Sequence, residues 1–190
     1  MGNAEAYPVY RAVDVASIVS VAFDLVRCGE VDEGATVYLD LDAELRGVDA
    51  VLKARNLFPE ARFSHRRSDF WGTNLPDDAE VLAGLLPMQF AAEEISLEED
   101  SRSRAVEVLR PAVWGQLACM GITWPAVPEL DLGPEYARTG VQACFNIDAN
   151  HEPVAGHTVY VHVYPGEEDR ARHLARMIGK DVIGPPEHGW

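Results

Sequence analysis

The feature that most constrains the fold is a strict alternation of apolar and polar residues near the end of the chain. It covers Val141 to Asp148 and again Thr158 to Tyr164. Because successive side chains of a β-strand point to opposite faces, each segment predicts a strand with one face toward a core. Residues 149–157 between them contain Asn, Pro and Gly, which favour a turn. The pattern therefore predicts an antiparallel hairpin with one buried face and one wet face.

The segment after Gly166 has the charge order of a helix. Acidic residues come first, from Glu167 to Asp169, and basic residues follow from Arg170 to Lys180. Negative charge near the start of a helix and positive charge near its end both interact favourably with the helix dipole. Apolar residues recur at helical spacing in this segment, so we predict a helix that buries one side.

The first 65 residues predict a helix, a strand, a helix and a strand. Asp14 is a favourable N-cap, and apolar residues follow it at helical spacing as far as Gly29. Alternation then indicates a strand over Ala35 to Leu41, helical spacing returns over Ala43 to Asn56, and Ala61 to His65 is a short strand candidate.

Two further helices are indicated in the middle of the chain. Asp77 and Ser96 each begin a capping-box pattern. The second helix extends to Met120 on its apolar spacing, with a kink or a split at Pro111. Several prolines then mark residues 121–140 as a long connector.

Together these elements predict a single α+β domain over residues 1–190. We expect a mixed or antiparallel sheet with helices mainly on one face. The alternative is a weak domain boundary within the connector, residues 121–140.

Negative charge is concentrated in the middle of the chain. The net charge is −15, and residues 68–137 hold thirteen acidic residues against three arginines. The densest run contains Glu93, Glu94, Glu98 and Glu99. Such a field repels nucleic acid and membrane surfaces and steers a basic partner toward it. The segment is either a solvated surface or a docking surface for a basic protein.

Cysteine usage and the absence of targeting segments indicate a cytoplasmic protein. Cys28, Cys119 and Cys144 lie far apart, which favours free thiols over a disulfide framework. No apolar stretch approaches the roughly 20 residues of a membrane helix, and no secretory signal is recognisable. Arginine outnumbers lysine fourteen to two, which is typical of GC-rich coding and indicates a high-GC bacterium or its phage.

The common catalytic signatures are absent from the sequence. It contains no G-x-S-x-G, no G-x-x-x-x-G-K, no G-x-G-x-x-G, no C-x-x-C and no H-E-x-x-H. The sequence therefore specifies no cofactor and no reaction class.

The polar side of the predicted sheet is the first candidate site. If the strand near Asp40 joins the C-terminal hairpin, Asp40 and Asp148 share a surface with Tyr160, His162 and Tyr164. Tyrosines are common in binding sites, so the last three residues are predicted to bind a partner. Asp40, Asp148 and His162 are candidate acid/base groups of a small enzyme. The alternative is the ordinary wet face of a sheet.

A metal site is a further hypothesis on the same hairpin. Asp148, His151 and His162 are the candidate ligands, because carboxylate and imidazole suit zinc or iron. The site requires the hairpin loop to fold back. Asp40 and Asp42, two residues apart on a strand, also share a face where oxygen ligands could hold Mg²⁺.

The second candidate surface is a loop in which Arg66 and Arg67 precede Trp71. Guanidinium groups beside an exposed aromatic residue can bind an acidic or aromatic partner. In the alternative interpretation, the aromatic residue anchors the loop in the core.

The sequence favours an acidic, cytosolic binding protein. We expect an inhibitor-like or immunity-like partner of a basic protein, or an assembly component, with no direct contact to nucleic acid or membrane. The alternative is a small enzyme, with or without a metal, that uses the polar sheet face around Asp40, Asp148 and His162.

Overall fold

A computed structural model describes residues 4–30, 37–65, 71–98 and 100–188, and for Trp71 the backbone alone. Within these residues nine strands form one sheet, and all neighbouring strands are antiparallel. The strands are β1 (Glu5–Ala12), β2 (Tyr38–Leu45), β3 (Arg62–His65), β4 (Trp71–Gly72), β5 (Met88–Ser96), β6 (Gly115–Trp124), β7 (Glu135–Ile147), β8 (Pro153–Val163) and β9 (Glu187–His188). Across the sheet the order is β4, β3, β5, β2, β6, β7, β8, β1, β9.

Five α-helices lie within the same described ranges. They are α1 (Val15–Val26), α2 (Val48–Leu57), α3 (Ala79–Gly84), α4 (Ser101–Leu109) and α5 (Glu168–Met177). α1 begins as predicted after Asp14, whose carboxylate accepts the backbone N–H of Ser17 at 2.8 Å. α5 has the predicted charge order, with acidic residues in its first turn and Arg176 in its last.

The helices pack on one face of the sheet. α1 contacts β1, β6, β7 and β8, α5 contacts β1 and β8, α2 contacts β5, and α4 contacts β2. The apolar residues of the predicted hairpin point into this core, as their alternation requires. They are Val141, Ala143, Phe145, Val159, Val161 and Val163. The predicted α+β class, with an antiparallel sheet and helices mainly on one face, is confirmed.

We call the sheet face opposite the helices the second face. Over β1, β7 and β8 it is covered by the segment after α5 and by the hairpin loop between β7 and β8. After α5 the chain runs along β1, where the Ile183 N–H donates to the Pro8 carbonyl at 2.8 Å. The Glu187 carboxylate then accepts the Tyr160 hydroxyl and the Ala149 N–H, both at 2.9 Å. A small second core results, made of Ala6, Cys144, Ile147, Ala149 and Tyr160 with Trp114 at its margin. We call this region the covered half of the second face.

The helix predicted to reach Met120 is in fact two elements. α4 ends at Leu109, and the chain enters the sheet as β6. Gly115 begins this strand at a close approach, because a Cβ there would lie 2.5 Å from Leu109 Cδ2 and 3.1 Å from the Asp42 carbonyl oxygen. The few apolar residues after α4 fit helical and alternating patterns equally, so their spacing misassigned them.

Two other boundaries differ from prediction. β2 continues to Leu45, where the sequence predicted a helix from Ala43, and α2 begins only at Val48. Residues 121–140, predicted as a connector, contain the ends of β6 and β7, which pair there. Residues 121–124 and 135–140 therefore lie inside the sheet, and the connection itself is residues 125–134.

The two-residue strands β4 and β9 were not predicted, and neither were the longer strands β1 and β5. β1 contains a register shift between Pro8 and Tyr10. β5 pairs with β2 across another register shift, which lies between Leu39 and Leu41. A bulge inserts one residue and so erases the two-residue period that marks a strand in sequence.

No helix in the described part of the chain is long and apolar enough to cross a membrane. Cys28, Cys119 and Cys144 are free, and the last two are buried.

Candidate functional site

Acidic side chains occupy the accessible part of the second sheet face. On β2, Asp40, Asp42 and Glu44 alternate with leucine and alanine residues of the core. β5 adds Glu93 and Glu94, where its pairing with β2 shifts register. We call the surface formed by these five residues the acidic half.

A bulge brings the carboxylates of the two strands together. Glu94 has a positive φ of 54°, and its N–H donates to the Asp40 carboxylate at 3.0 Å. Burial raises the pKa of Asp40; the Glu94 N–H partly offsets this, and the carboxylates of Glu93 and Glu94 add to the rise. The bulge thus concentrates negative charge at the centre of the acidic half.

Asp42 has the most perturbed carboxyl group of this surface. Burial, and then the charges of Asp40 and Glu93, raise its pKa to about 6, while the Arg62 guanidinium opposes the rise. Arg62 itself forms an ion pair with Glu93. A raised carboxyl pKa means that the surroundings do not compensate the ionised form, so a cation placed there would be stabilising.

Glu44 is a compensated carboxylate at the end of the acidic half. It is only 5% exposed. Arg46 donates to Oε1 from Nε at 3.1 Å and from Nη2 at 3.0 Å, and Gln89 Nε2 donates to Oε2 at 3.1 Å. The Arg46 side chain is 66% exposed, so this guanidinium approaches Glu44 from the solvent side.

A cleft of about 470 Å³ adjoins the acidic half at Glu44. Its lining combines an indole and aliphatic side chains with polar and charged groups. The lining residues are Glu44, Arg46, Val113, Trp114, Asn146, Ile147, His151 and Pro153. We call it the Trp114 cleft.

The hairpin loop after β7 folds back to form part of this cleft. Asn146 and His151 have positive φ values of 59° and 64°, which for non-glycine residues requires support from surrounding contacts. Asn146 Nδ2 donates to the Val113 carbonyl at 2.8 Å, and the His151 ring contacts Gln116 Oε1. Partial burial lowers the pKa of His151, which favours its neutral imidazole.

The predicted metal ligands Asp148, His151 and His162 are not brought together. Asp148 stays within the loop, where its Oδ1 accepts the N–H groups of Asn150 and Glu152, each at 2.9 Å. It holds the turn that carries His151.

His162 lies in the covered half, far from that loop. The preceding Val161 pairs with Val141, seven residues from Asp148 along β7, which is roughly 20 Å at the rise of a strand. Nε2 of His162 bonds to Gln142 Oε1 at 2.8 Å, and complete burial lowers the pKa of His162 to about 4. Among the described residues, no group of three or more His, Cys, Asp or Glu side chains is placed to hold a metal ion.

The predicted acid/base set is also dispersed. Asp40 is on β2 and His162 on β8, and the strands β6 and β7 lie between them. Three strand spacings amount to about 14 Å. With Asp148 in the hairpin loop, Asp40, Asp148 and His162 do not form one site.

The predicted tyrosine surface is mostly inaccessible. Tyr160 and His162 are both buried. The C-terminal segment and the hairpin loop close over Tyr160, whose hydroxyl bonds to Glu187. Tyr164 is 49% exposed, and its N–H donates to Glu135 Oε1 at 2.9 Å. The assumption that polar alternating residues face solvent is wrong for the first two.

The second predicted surface cannot be placed. Arg66 and Arg67 lie outside the described residues, and so does the side chain of Trp71.

A buried ionic cluster on the helix side was not predicted. Arg170 is 2% exposed and lies 2.6 Å from Glu167 Oε2 and 2.9 Å from Glu135 Oε2 through Nε. Its other nitrogens donate to the carbonyls of Pro125 and Gly133 at 2.9 and 2.7 Å. Burial and the neighbouring Glu167 raise the pKa of Glu135. These contacts fasten the β6–β7 connection to α5 and have a structural role.

Sequence reasoning missed Glu44 and Trp114 as site residues. A usable signal was present for Glu44, because the alternation of β2 continues through Asp40, Asp42 and Glu44 to Leu45. Trp114 carried no such signal, since its place in the cleft depends on a loop some thirty residues later in the chain.

No protein-family model matches this chain, and no curated protein or solved structure is significantly similar to it. Any functional proposal therefore rests on the geometry of the acidic half and the adjoining cleft.

Proposed function

We propose that this protein is a non-catalytic binding protein whose acidic half docks a basic protein partner. The observation that carries the proposal is the placement of Asp40, Asp42, Glu93 and Glu94 on one accessible patch of sheet. Burial, and then the negative charges of Asp40 and Glu93, raise the pKa of Asp42.

A cationic surface is the complement that this patch lacks. Arg62 is a counter-ion within it, yet the pKa of Asp42 stays raised to about 6 despite that guanidinium. Lysine or arginine side chains of a partner would lower the free energy of the ionised carboxylates. With a net charge of −15, the protein would also steer a basic partner over distances near the Debye length, about 10 Å at 0.1 M salt.

The proposal includes the finer expectations drawn from the sequence. These are an inhibitor-like or immunity-like role or a place in an assembly, a cytoplasmic location, and an origin in a high-GC bacterium or its phage. The same negative field opposes direct contact with nucleic acid. We do not propose an enzyme, because Asp40, Asp148 and His162 are dispersed over the sheet.

The test compares two double variants with equal changes in charge. Asp40→Asn with Glu93→Gln removes two of the five negative charges of the acidic half. Glu129→Gln with Asp169→Asn neutralises two exposed carboxylates on the 3-10 turn at Pro128–Leu130 and on α5. The probe is a fluorescein-labelled (Lys-Gly)₄ peptide, and its affinity is measured by anisotropy.

At low salt we expect the first variant to bind about fivefold to tenfold more weakly than wild type and the second less than about twofold more weakly. The difference should disappear at 1 M salt, where the Debye length is about 3 Å. Equal weakening by both variants would show that only net charge matters and would overturn the proposal.

A further inference from the structure

We propose that the Trp114 cleft receives an arginine side chain of the basic partner, which stacks on the Trp114 indole and replaces Arg46 on the Glu44 carboxylate. This inference rests on the proposed function, because it names the anchor that fixes the partner on the acidic half.

The cleft and the acidic half are one continuous surface. Glu44 belongs to both, and it lies two residues from Asp42 on the same face of β2. β2 is joined to the start of β6 at this point. The Glu44 N–H donates to the Trp114 carbonyl at 3.0 Å, and Gln116 pairs with Asp42. A partner held by Asp40 and Asp42 therefore lies beside the opening of the cleft.

The chemistry of the cleft suits a flat cation on a long apolar stem. Trp114 provides the aromatic face that attracts cations most strongly. Ile147 and Pro153 provide an apolar wall for the methylene groups, and Glu44 provides a carboxylate. Arginine fits this combination better than lysine, because its guanidinium both stacks on aromatic rings and binds a carboxylate through two N–H groups.

The protein already shows that a guanidinium fits Glu44. Arg46 donates to Glu44 Oε1 through both Nε and Nη2 while its side chain stays largely in solvent. An incoming arginine would make the same two bonds and add contact with Trp114. Because the Arg46 side chain is 66% exposed, its guanidinium can move into solvent, and the partner arginine would then compensate the buried Glu44 carboxylate in its place.

The neutral state of His151 is compatible with this occupant. His151 lines the cleft, and partial burial lowers its pKa. The lowered pKa favours the neutral imidazole, which would not repel a guanidinium.

The experiment measures the ratio of affinities for three labelled peptides, (Arg-Gly)₄, (Lys-Gly)₄ and (Cit-Gly)₄, where Cit is the uncharged isostere citrulline. For wild type we expect at least tenfold tighter binding of the arginine peptide than of the citrulline peptide. We expect a preference for arginine over lysine of about threefold, the size of an exposed cation–π contact.

Trp114→Leu should reduce the ratio of arginine to lysine affinity to about one. Tyr136→Leu removes a 55% exposed aromatic residue elsewhere on β7 and is the matched control, which should retain the wild-type ratio. A second variant does not depend on the aromatic residue or on the small second core. Arg46→Ala should strengthen binding of the arginine peptide more than of the lysine peptide, because it vacates Glu44, whereas Arg62→Ala should strengthen both equally.

An arginine preference that survives Trp114→Leu, or equal effects of Arg46→Ala and Arg62→Ala on the ratio, would overturn the inference. If wild type binds both cationic peptides equally and Asp40→Asn with Glu93→Gln still weakens them, the anchor is wrong and the proposed function stands. If neither cationic peptide binds wild type, both the anchor and the proposed function are wrong.

Discussion

The covered half and the acidic half belong to the same face of the same sheet, yet their polar residues have opposite fates. In the covered half, His162 is an uncharged buried imidazole bonded to Gln142. In the acidic half, Asp42 is a half-buried carboxyl group whose negative charge is incompletely compensated. The difference is due to the segments that close over the first half, the hairpin loop and the residues around Glu187. Which half of a sheet face stays accessible is thus decided by segments remote in sequence.

The two halves should respond to pH in opposite directions, and His162 gives the largest effect. Its folded-state pKa is about 4, below the ordinary 6.5, so its contribution to stability is full above pH 6.5 and is lost as the pH falls toward 4. The shift corresponds to about 3 kcal/mol at 1.36 kcal/mol per pKa unit. The measurement is the free energy of unfolding in urea at pH 7 and at pH 4. It should fall by this amount more in wild type than in His162→Gln. An identical pH dependence in the two proteins would contradict the assignment.

Removal of the cover should have the next largest effect. Glu187→Ala deletes the acceptor of the Tyr160 hydroxyl and the Ala149 N–H. Because hydrogen bonds to a charged group contribute about 1.5–3 kcal/mol, we expect the free energy of unfolding to fall by about 2 kcal/mol. Hydrogen exchange should quicken around Tyr160. Glu152→Ala, at an exposed position in the hairpin loop, is the control, and a loss of the same size there would mean that the cover is unimportant.

In the acidic half, Asp42 should make the fold less stable as the pH rises, by a smaller amount than His162 makes it more stable. The folded-state pKa of Asp42, about 6, is above its usual 3.8, so the stability that its protonated form provides is lost as the pH rises from 4 to 6. With allowance for its partial exposure, Asp42→Asn should therefore stabilise the fold by about 1–2 kcal/mol at pH 7 and by almost nothing at pH 4. Thermal unfolding at the two pH values checks this. A destabilised variant at pH 7 would show that the carboxylate is compensated after all.

The sequence predicted the hairpin and its core face because two-residue periodicity is local and survives in Val141 to Asp148 and Thr158 to Tyr164. It did not predict that Tyr160 is buried, because burial of the second face depends on Glu187, some twenty-seven residues later.

The candidate site was only partly predictable. Glu93 and Glu94 were recognised as part of an acidic run, and the structure places them beside Asp40. Glu98 from the same run instead lines a depression next to α1, and Glu99 lies outside the described residues. β5 ends at Ser96, so Glu98 lies beyond the sheet while Glu93 and Glu94 stay within it.

The most direct test of the account is to map where a basic peptide contacts the protein. ¹⁵N-labelled protein titrated with (Arg-Gly)₄ at low salt should show its largest chemical-shift changes at the amides of β2 from Asp40 to Glu44, at Glu93 and Glu94, and at the Trp114 indole. The covered half and α5 should change little. Shifts that cluster on the helices, or that spread evenly over the surface, would contradict the claim that the acidic half is the binding surface.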